Sequence, residues 1–203
     1  DTEKDPYNAK RGFWYSHMGW MLWKRGPEVG TSDVSDLKAD PFIRFQHDHY
    51  PILAFSLGII LPGIICKYYW DNFWGGILIG GFLSATMILQ STFFINSLAH
   101  YWGDATFSDQ RTPRDSYLVA LVSFGEGYHN MHHEFPYDYR NGIRALDFDP
   151  GKWLINFFAW LGWAYDLGRM PEELFIKGRI QMLEKRAREL RSDIDWKPSE
   201  TPL

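Results

Sequence analysis

At 203 residues the chain is long enough for one ordinary domain, and a net charge of −4 argues against nucleic acid as a partner. Its single cysteine, Cys66, excludes a disulfide framework and a cysteine-based zinc or iron–sulfur site, so any metal must be held by His, Asn or carboxylates. An aromatic share of 18%, with ten Trp, suits a chain that has a membrane–water interface to occupy.

The chain opens on Asp1 with a polar stretch that has neither signal-peptide nor transit-peptide character, which reads as the start of a fragment. Residues 13–23 (FWYSHMGWMLW) are aromatic but too short to span a bilayer, and are expected to lie at the membrane surface. Residues 26–41, rich in Gly, Asp and Pro, read as a loop. Two strongly apolar segments follow, 52–69 and 73–95. Each approaches the roughly 20 apolar residues that a spanning helix needs. Lys67 is the one charge in the first and lies near its end, where it can snorkel. Pro62 and several glycines would trouble a soluble helix but are tolerated in a span. The remainder of the chain is too polar to wrap two such helices inside a soluble core.

Only Trp70, Asp71 and Asn72 separate the spans, so they form a tight antiparallel hairpin. Seven Lys and Arg precede Ile52, thirteen follow Ile95, and Lys67 alone lies between. By the positive-inside rule both flanks, and with them both termini, face the cytosol. A loop (100–114), a short apolar piece (117–124), and a second aromatic, interfacial stretch (153–165) follow. After Pro171 the chain is strongly charged, and Ile176, Ile180, Leu183, Ala187 and Leu190 recur at helical spacing, as in a solvated arm with one apolar stripe. The fold class is therefore an all-α membrane protein. Its parts are a cytosolic or interfacial segment (1–51), a transmembrane helical hairpin (52–96), a cytosolic histidine-bearing helical cap (97–170) and a charged helix with its tail (171–203).

Three of the seven histidines sit in GEGYHNMHH. His129, His132 and His133 are spaced i, i+3 and i+4, so one helical turn presents all three imidazoles to one side. A lone helical His is usually packed or solvated; three at this spacing without a metal would leave nitrogens unsatisfied. Neutral imidazole suits iron, copper, zinc and nickel. A second constellation, NSLAH, places Asn96 and His100 at i, i+4 on the end of the second span, with Thr92 one turn earlier. A polar face at the end of an apolar helix is a functional candidate by default, with interfacial solvation the plainer but lesser alternative for the pair taken alone.

HxxHH after GEG, NSxAH at a helix end, and the following FPYDYRNGIR resemble the membrane-bound acyl-CoA desaturases, especially the stearoyl-CoA (delta-9) type of fungi. The resemblance runs from DPYNAKRGFWYSHMGW through both spans and both motifs. It implies a diiron (Fe2+) centre with His129, His132, His133 and His100 as ligands and Asn96 reaching a metal through water. The family's first two histidine boxes have no match here, as expected of a C-terminal portion, and His17, His47 and His49 read as interfacial or structural. Lys24 and Arg25 match a basic pair that contacts CoA, a role that competes with anchoring to anionic lipid. Thr92 and Phe93 match positions lining the substrate tunnel, Phe93 replacing the family's usual Trp. Second-shell carboxylates orient metal-bound imidazoles, and Glu126, Asp104 and Asp138 are the candidates.

The activity implied is O2-dependent introduction of a cis double bond into an acyl-CoA, with electrons from cytochrome b5, at the endoplasmic reticulum membrane. Two other readings stay open: a catalytically incomplete membrane fragment of such an enzyme, or a related diiron lipid hydroxylase. A simple metal-transport protein would need polar residues through the spans, and the first span has almost none.

Overall fold

The computed structural model describes residues 5–22 and 34–193. Among them it is all-α, with two isolated bridges, Asp104 to Asp115 and Asp115 to Tyr128, in place of strands. The chain divides into two compact units, Arg25–Phe93 and the pair of segments Asp1–Lys24 and Phe94–Leu203.

Two helices are long and apolar enough to cross a membrane, Tyr50–Trp70 and Phe73–Tyr101. Only 11% and 17% of their most apolar windows are buried, so they are not the core helices of a soluble protein. Ile52, Leu57, Ile64, Leu78, Ile79 and Ile88 all point outward, as a lipid-facing surface requires. The backbone accommodates Pro62 locally. Pro62 lies inside the continuous helix Tyr50–Trp70, and the turn Ser56–Ile60 before it is π-helical, as a span accommodates a missing N–H by local adjustment.

The hairpin closes on small residues. A Cβ on Gly76 would stand 2.5 Å from the Pro62 carbonyl oxygen and 2.7 Å from the Gly63 Cα. The two backbones thus meet where neither side carries bulk, the packing favoured between helices in lipid. At the turn, Asp71 takes the left-handed conformation (φ 55°) and pairs with Lys67. The Asn72 side chain accepts a hydrogen bond from the Gly75 N–H at 2.9 Å and so caps the second helix. Ahead of the hairpin, Ser35–Ala39 is a helical turn where the sequence reads as loop, and Asp40 caps the helix Pro41–Asp48 through the Phe42 and Ile43 N–H groups. His47 and His49 are exposed on or beside that helix.

In the other unit the apolar core is Phe107, Met131, Phe135 and Phe175. The C-terminal helix Glu172–Asp193 joins it through Phe175, Gly178 and Met182, all buried. Ile176, Ile180, Leu183 and Leu190, the stripe that periodicity picks out, are exposed. A neighbouring face does the docking because Gly178 lets the helix approach Phe107, 3.3 Å from where a Cβ would stand.

The segment between Phe135 and Asp149 is irregular and is held by buried charges. Lys152 is 3% exposed, and its Nζ donates to the carbonyls of Gly142 (2.7 Å), Arg144 (2.6 Å) and Asp147 (3.2 Å). Asp149 accepts from the N–H groups of Asn141, Gly142 and Lys152. Burial works to raise the Asp138 carboxyl, but hydrogen bonds from Arg140 and from the Met170 N–H overcome it and hold the group below its ordinary range. FPYDYRNGIR is thus built around fixed carboxylates, which explains its polar character.

Gly76→Leu should cost about 1–3 kcal/mol through overpacking. Gly58→Leu, where an added Cβ meets no atom within 4 Å, should cost little. Detergent unfolding followed by far-UV circular dichroism compares the two, and equal losses would contradict the small-residue crossing.

Candidate metal centre

Helix Phe73–Tyr101 and helix His129–Glu134 supply the site. The first is irregular near its end. Its regular part stops at Asn96 and resumes at Leu98, with Ser97 distorted (φ −115°, ψ −76°). Ser97 is fully buried, and its hydroxyl lies 2.9 Å from Nδ1 of His17, which is itself buried against Phe13 and Phe94. His17 is therefore structural.

The histidine helix spans only six residues, too few to stand alone. Tyr128, before it, offers no side-chain cap. Asp115 does so from a distance: its Oδ1 accepts from the N–H groups of Asn130 (2.8 Å) and Met131 (3.0 Å). A carboxylate there satisfies otherwise orphaned donors and complements the positive end of the helix. Burial pushes the Asp115 carboxyl up, and these same hydrogen bonds restrain the rise. Behind the helix, a Cβ on Gly127 would stand 2.0 Å from the Ala120 nitrogen, so only glycine lets the segment lie against helix Tyr117–Val122.

His100, His129 and His133 are brought together, each offering one nitrogen within 4.8 Å of the others. His129 Nε2 stands 3.1 Å from both His100 Nε2 and His133 Nε2. One ring nitrogen carries at most one proton or one lone pair. It cannot serve as donor and acceptor at once, whereas a cation shared by three lone pairs satisfies all of them. His129 Nδ1 is buried without a hydrogen-bond partner, so no protein acceptor favours an imidazolium there. Burial first, and then the neighbouring imidazoles, lower the pKa of His129 to about 2 and that of His133 to about 4. These rings are neutral at physiological pH, which is the ligating form. The donor set fits a transition-metal ion such as iron.

His132 is not among the three whose nitrogens converge, although its ring is close by, with centroids 6.1 Å from His129 and 5.9 Å from His133. Positions i+3 and i+4 diverge by about 100° around a helix, so the i, i+4 pair shares one focus while i+3 faces another. Asn96 is half-buried, and the break at Ser97 removes the regular i, i+4 relation to His100. Thr92 is exposed, its hydroxyl donating to the Ile88 carbonyl at 3.1 Å, and Phe93 is buried. Lys24 and Arg25 lie outside the described residues.

The orienting partners differ from those expected. Glu126 accepts from Asn141, Asp104 from Arg186, and Asp138 from Arg140 and Met170. The group beside an imidazole is instead the hydroxyl of Thr112, 2.7 Å from His100 Nδ1. Neither Thr112 nor Asp115 carries a sequence signal, because each acts across a fold that brings distant residues together.

The family model described as fatty acid desaturase matches residues 1–147. The chain belongs to the fatty acid desaturase family. It is 46% identical to acyl-CoA desaturase 1 of Saccharomyces cerevisiae, over 100% of this chain and 40% of that protein. It is 37% identical to stearoyl-CoA desaturase 5 of Homo sapiens, over 86% of this chain and 54% of that protein. It is 40% identical to an acyl-CoA Delta(11) desaturase of Spodoptera littoralis, over 86% and 53%. The chain thus spans about half the length, or less, of these curated relatives.

Asp115→Ala should destabilise the unit by about 1–2 kcal/mol, as the loss of a helix cap does. Asp115→Asn keeps an acceptor oxygen and should lose less. Thermal unfolding of the two variants reads the difference, and wild-type stability in Asp115→Ala would remove the capping role.

Proposed function

We propose that this chain supplies part of an O2-dependent fatty acyl-CoA desaturase of the stearoyl-CoA 9-desaturase type. The single observation that carries the reading is the convergence of His100, His129 and His133 on one point, within a chain of this family. Two ferrous ions, when bound, would supply the O2 reduction and C–H dehydrogenation that no amino-acid side chain performs.

The residues divide the remaining work. His100, His129 and His133 hold one iron through neutral nitrogens, with Asn96 contributing through water. His132, turned to a different focus, serves the second iron, whose other ligands lie beyond these residues. The helices Tyr50–Trp70 and Phe73–Tyr101 seat the protein in the bilayer. Both flanks face the cytosol, a reading supported by the Lys and Arg counts, seven and thirteen on the flanks against Lys67 alone between the spans. The cap at 97–170 then meets cytochrome b5 on that side, and the compartment is the endoplasmic reticulum. Lys24 and Arg25 hold CoA phosphates as cationic donors, and Thr92 and Phe93 border the acyl chain.

Two measurements test this. The full chain in detergent should bind Co2+, a spectroscopic stand-in for Fe2+. Alanine at His100, His129 or His133 should lower that affinity about 10-fold or more, while His49→Ala should not. Equal binding by all four variants would remove the ligand assignment. The second measurement grafts the chain onto the remainder of the Saccharomyces cerevisiae desaturase, in place of the matching segment, in cells lacking their own desaturase. Gas chromatography of cell lipids should then show a delta-9 double bond. A delta-11 or delta-12 bond would overturn the regiochemistry, a hydroxylated product would favour the hydroxylase reading, and a stable, metal-loaded chimera without product would overturn the desaturase reading.

A further inference from the structure

Thr112 belongs to none of the family motifs, yet its side chain touches a proposed ligand. Its Oγ1 lies 2.7 Å from His100 Nδ1, while Nε2 of the same ring faces His129 at 3.1 Å. A neutral imidazole carries its proton on one nitrogen only, and the hydrogen bond made by one nitrogen decides the state of the other. A hydroxyl accepts as well as donates, and when Nδ1–H is the donor to Thr112 Oγ1 the Nε2 lone pair is left facing the cluster.

A threonine in irregular backbone orients a ring only if that backbone is fixed, and here it is fixed on both sides. Asn130, 3% exposed, uses its whole amide. Oδ1 accepts from the N–H groups of Phe107 (2.8 Å) and Ser108 (3.2 Å), and Nδ2 donates to the carbonyls of Ser108 (2.6 Å) and Pro113 (3.0 Å). On the other side of Pro113, the Arg114 N–H donates to the Ala99 carbonyl at 2.7 Å, one residue from His100. Asn130 itself stands beside His129, inside the histidine motif. One residue of that motif thus reaches through a loop to set a histidine on another helix.

We propose that Thr112 is a positioning residue that fixes the tautomer of His100, and that Asn130 holds Thr112 in place by clamping the 107–113 loop. This rests on His100 being a metal ligand, but the tautomer exists without metal and is measured without it, so the two ideas fail separately.

The test is 15N-imidazole spectroscopy of the metal-free full chain in micelles near neutral pH, with the His100 signals identified by their loss in His100→Gln. In wild type and in Thr112→Ser, Nδ1 should be the protonated nitrogen and Nε2 should resonate as a pyridine-type nitrogen. In Thr112→Val, which keeps the shape and removes the hydroxyl, both resonances should move toward the average of the two tautomers. A merely structural threonine would not produce this shift together with rescue by serine. Unchanged His100 resonances in Thr112→Val, or a protonated Nε2 in wild type, would overturn the role of Thr112. Replacing Asn130 removes four hydrogen bonds and can unfold the chain, so the clamp is tested on wild type by amide hydrogen exchange. Phe107 and Ser108 should be strongly protected, and exchange at the rate of an unstructured peptide would overturn the part assigned to Asn130.

Discussion

Two imidazole nitrogens stand 3.1 Å from a third, His129 Nε2, and the three can share a cation only while each ring keeps its lone pair. Burial is what keeps them uncharged, because a proton added there would bring a charge out of water. Burial keeps His129 at about 2 and His133 at about 4, so the rings retain their lone pairs at physiological pH. The surrounding architecture maintains that condition. Met131 and Asn130 are buried beside the imidazoles, and Met131 faces Phe107, Phe135 and Phe175.

The two units reach order by different physics. In the hairpin, lipid would solvate apolar side chains as well as protein does, so shape decides, and Gly63 and Gly76 allow the helices to meet at the backbone. In the other unit, regular structure is short and hydrogen bonds to buried side chains replace it. Asp115 caps one helix, Asn130 ties a loop, and Lys152 with Asp149 closes another. A carboxylate or ammonium inside a protein is costly unless every lone pair and proton is used. Three carbonyls around the Lys152 ammonium and three N–H groups on the Asp149 carboxylate meet that demand.

The spans and the histidine cluster were legible in the sequence because each is a local pattern: apolar length in one case, i and i+4 spacing in the other. The family was legible for the same reason, through contiguous motifs. Thr112, Asp115 and Asn130 were not, because a threonine, an aspartate or an asparagine looks the same whether it is solvated or ties two distant segments. Glu126, Asp104 and Asp138 are carboxylates near the motifs, yet Glu126 accepts from Asn141, Asp104 from Arg186, and Asp138 from Arg140 and Met170. Periodicity found an apolar stripe at Ile176, Ile180 and Leu183, while docking uses Phe175, Gly178 and Met182, because a glycine invites close approach where hydropathy sees nothing. The i, i+3, i+4 spacing treated three histidines alike, and only coordinates separate His132 from the pair that shares a focus.

The shortness of the helix His129–Glu134 has a consequence for how the site comes into being. Six residues cannot nucleate and hold a helix in water, so this one depends on Asp115 reaching its N–H groups and on Gly127 lying against Ala120. Both contacts belong to the folded unit, and the imidazoles converge only there. A cation held by them would bind the folded chain and not the unfolded one, and would stabilise the fold by that difference.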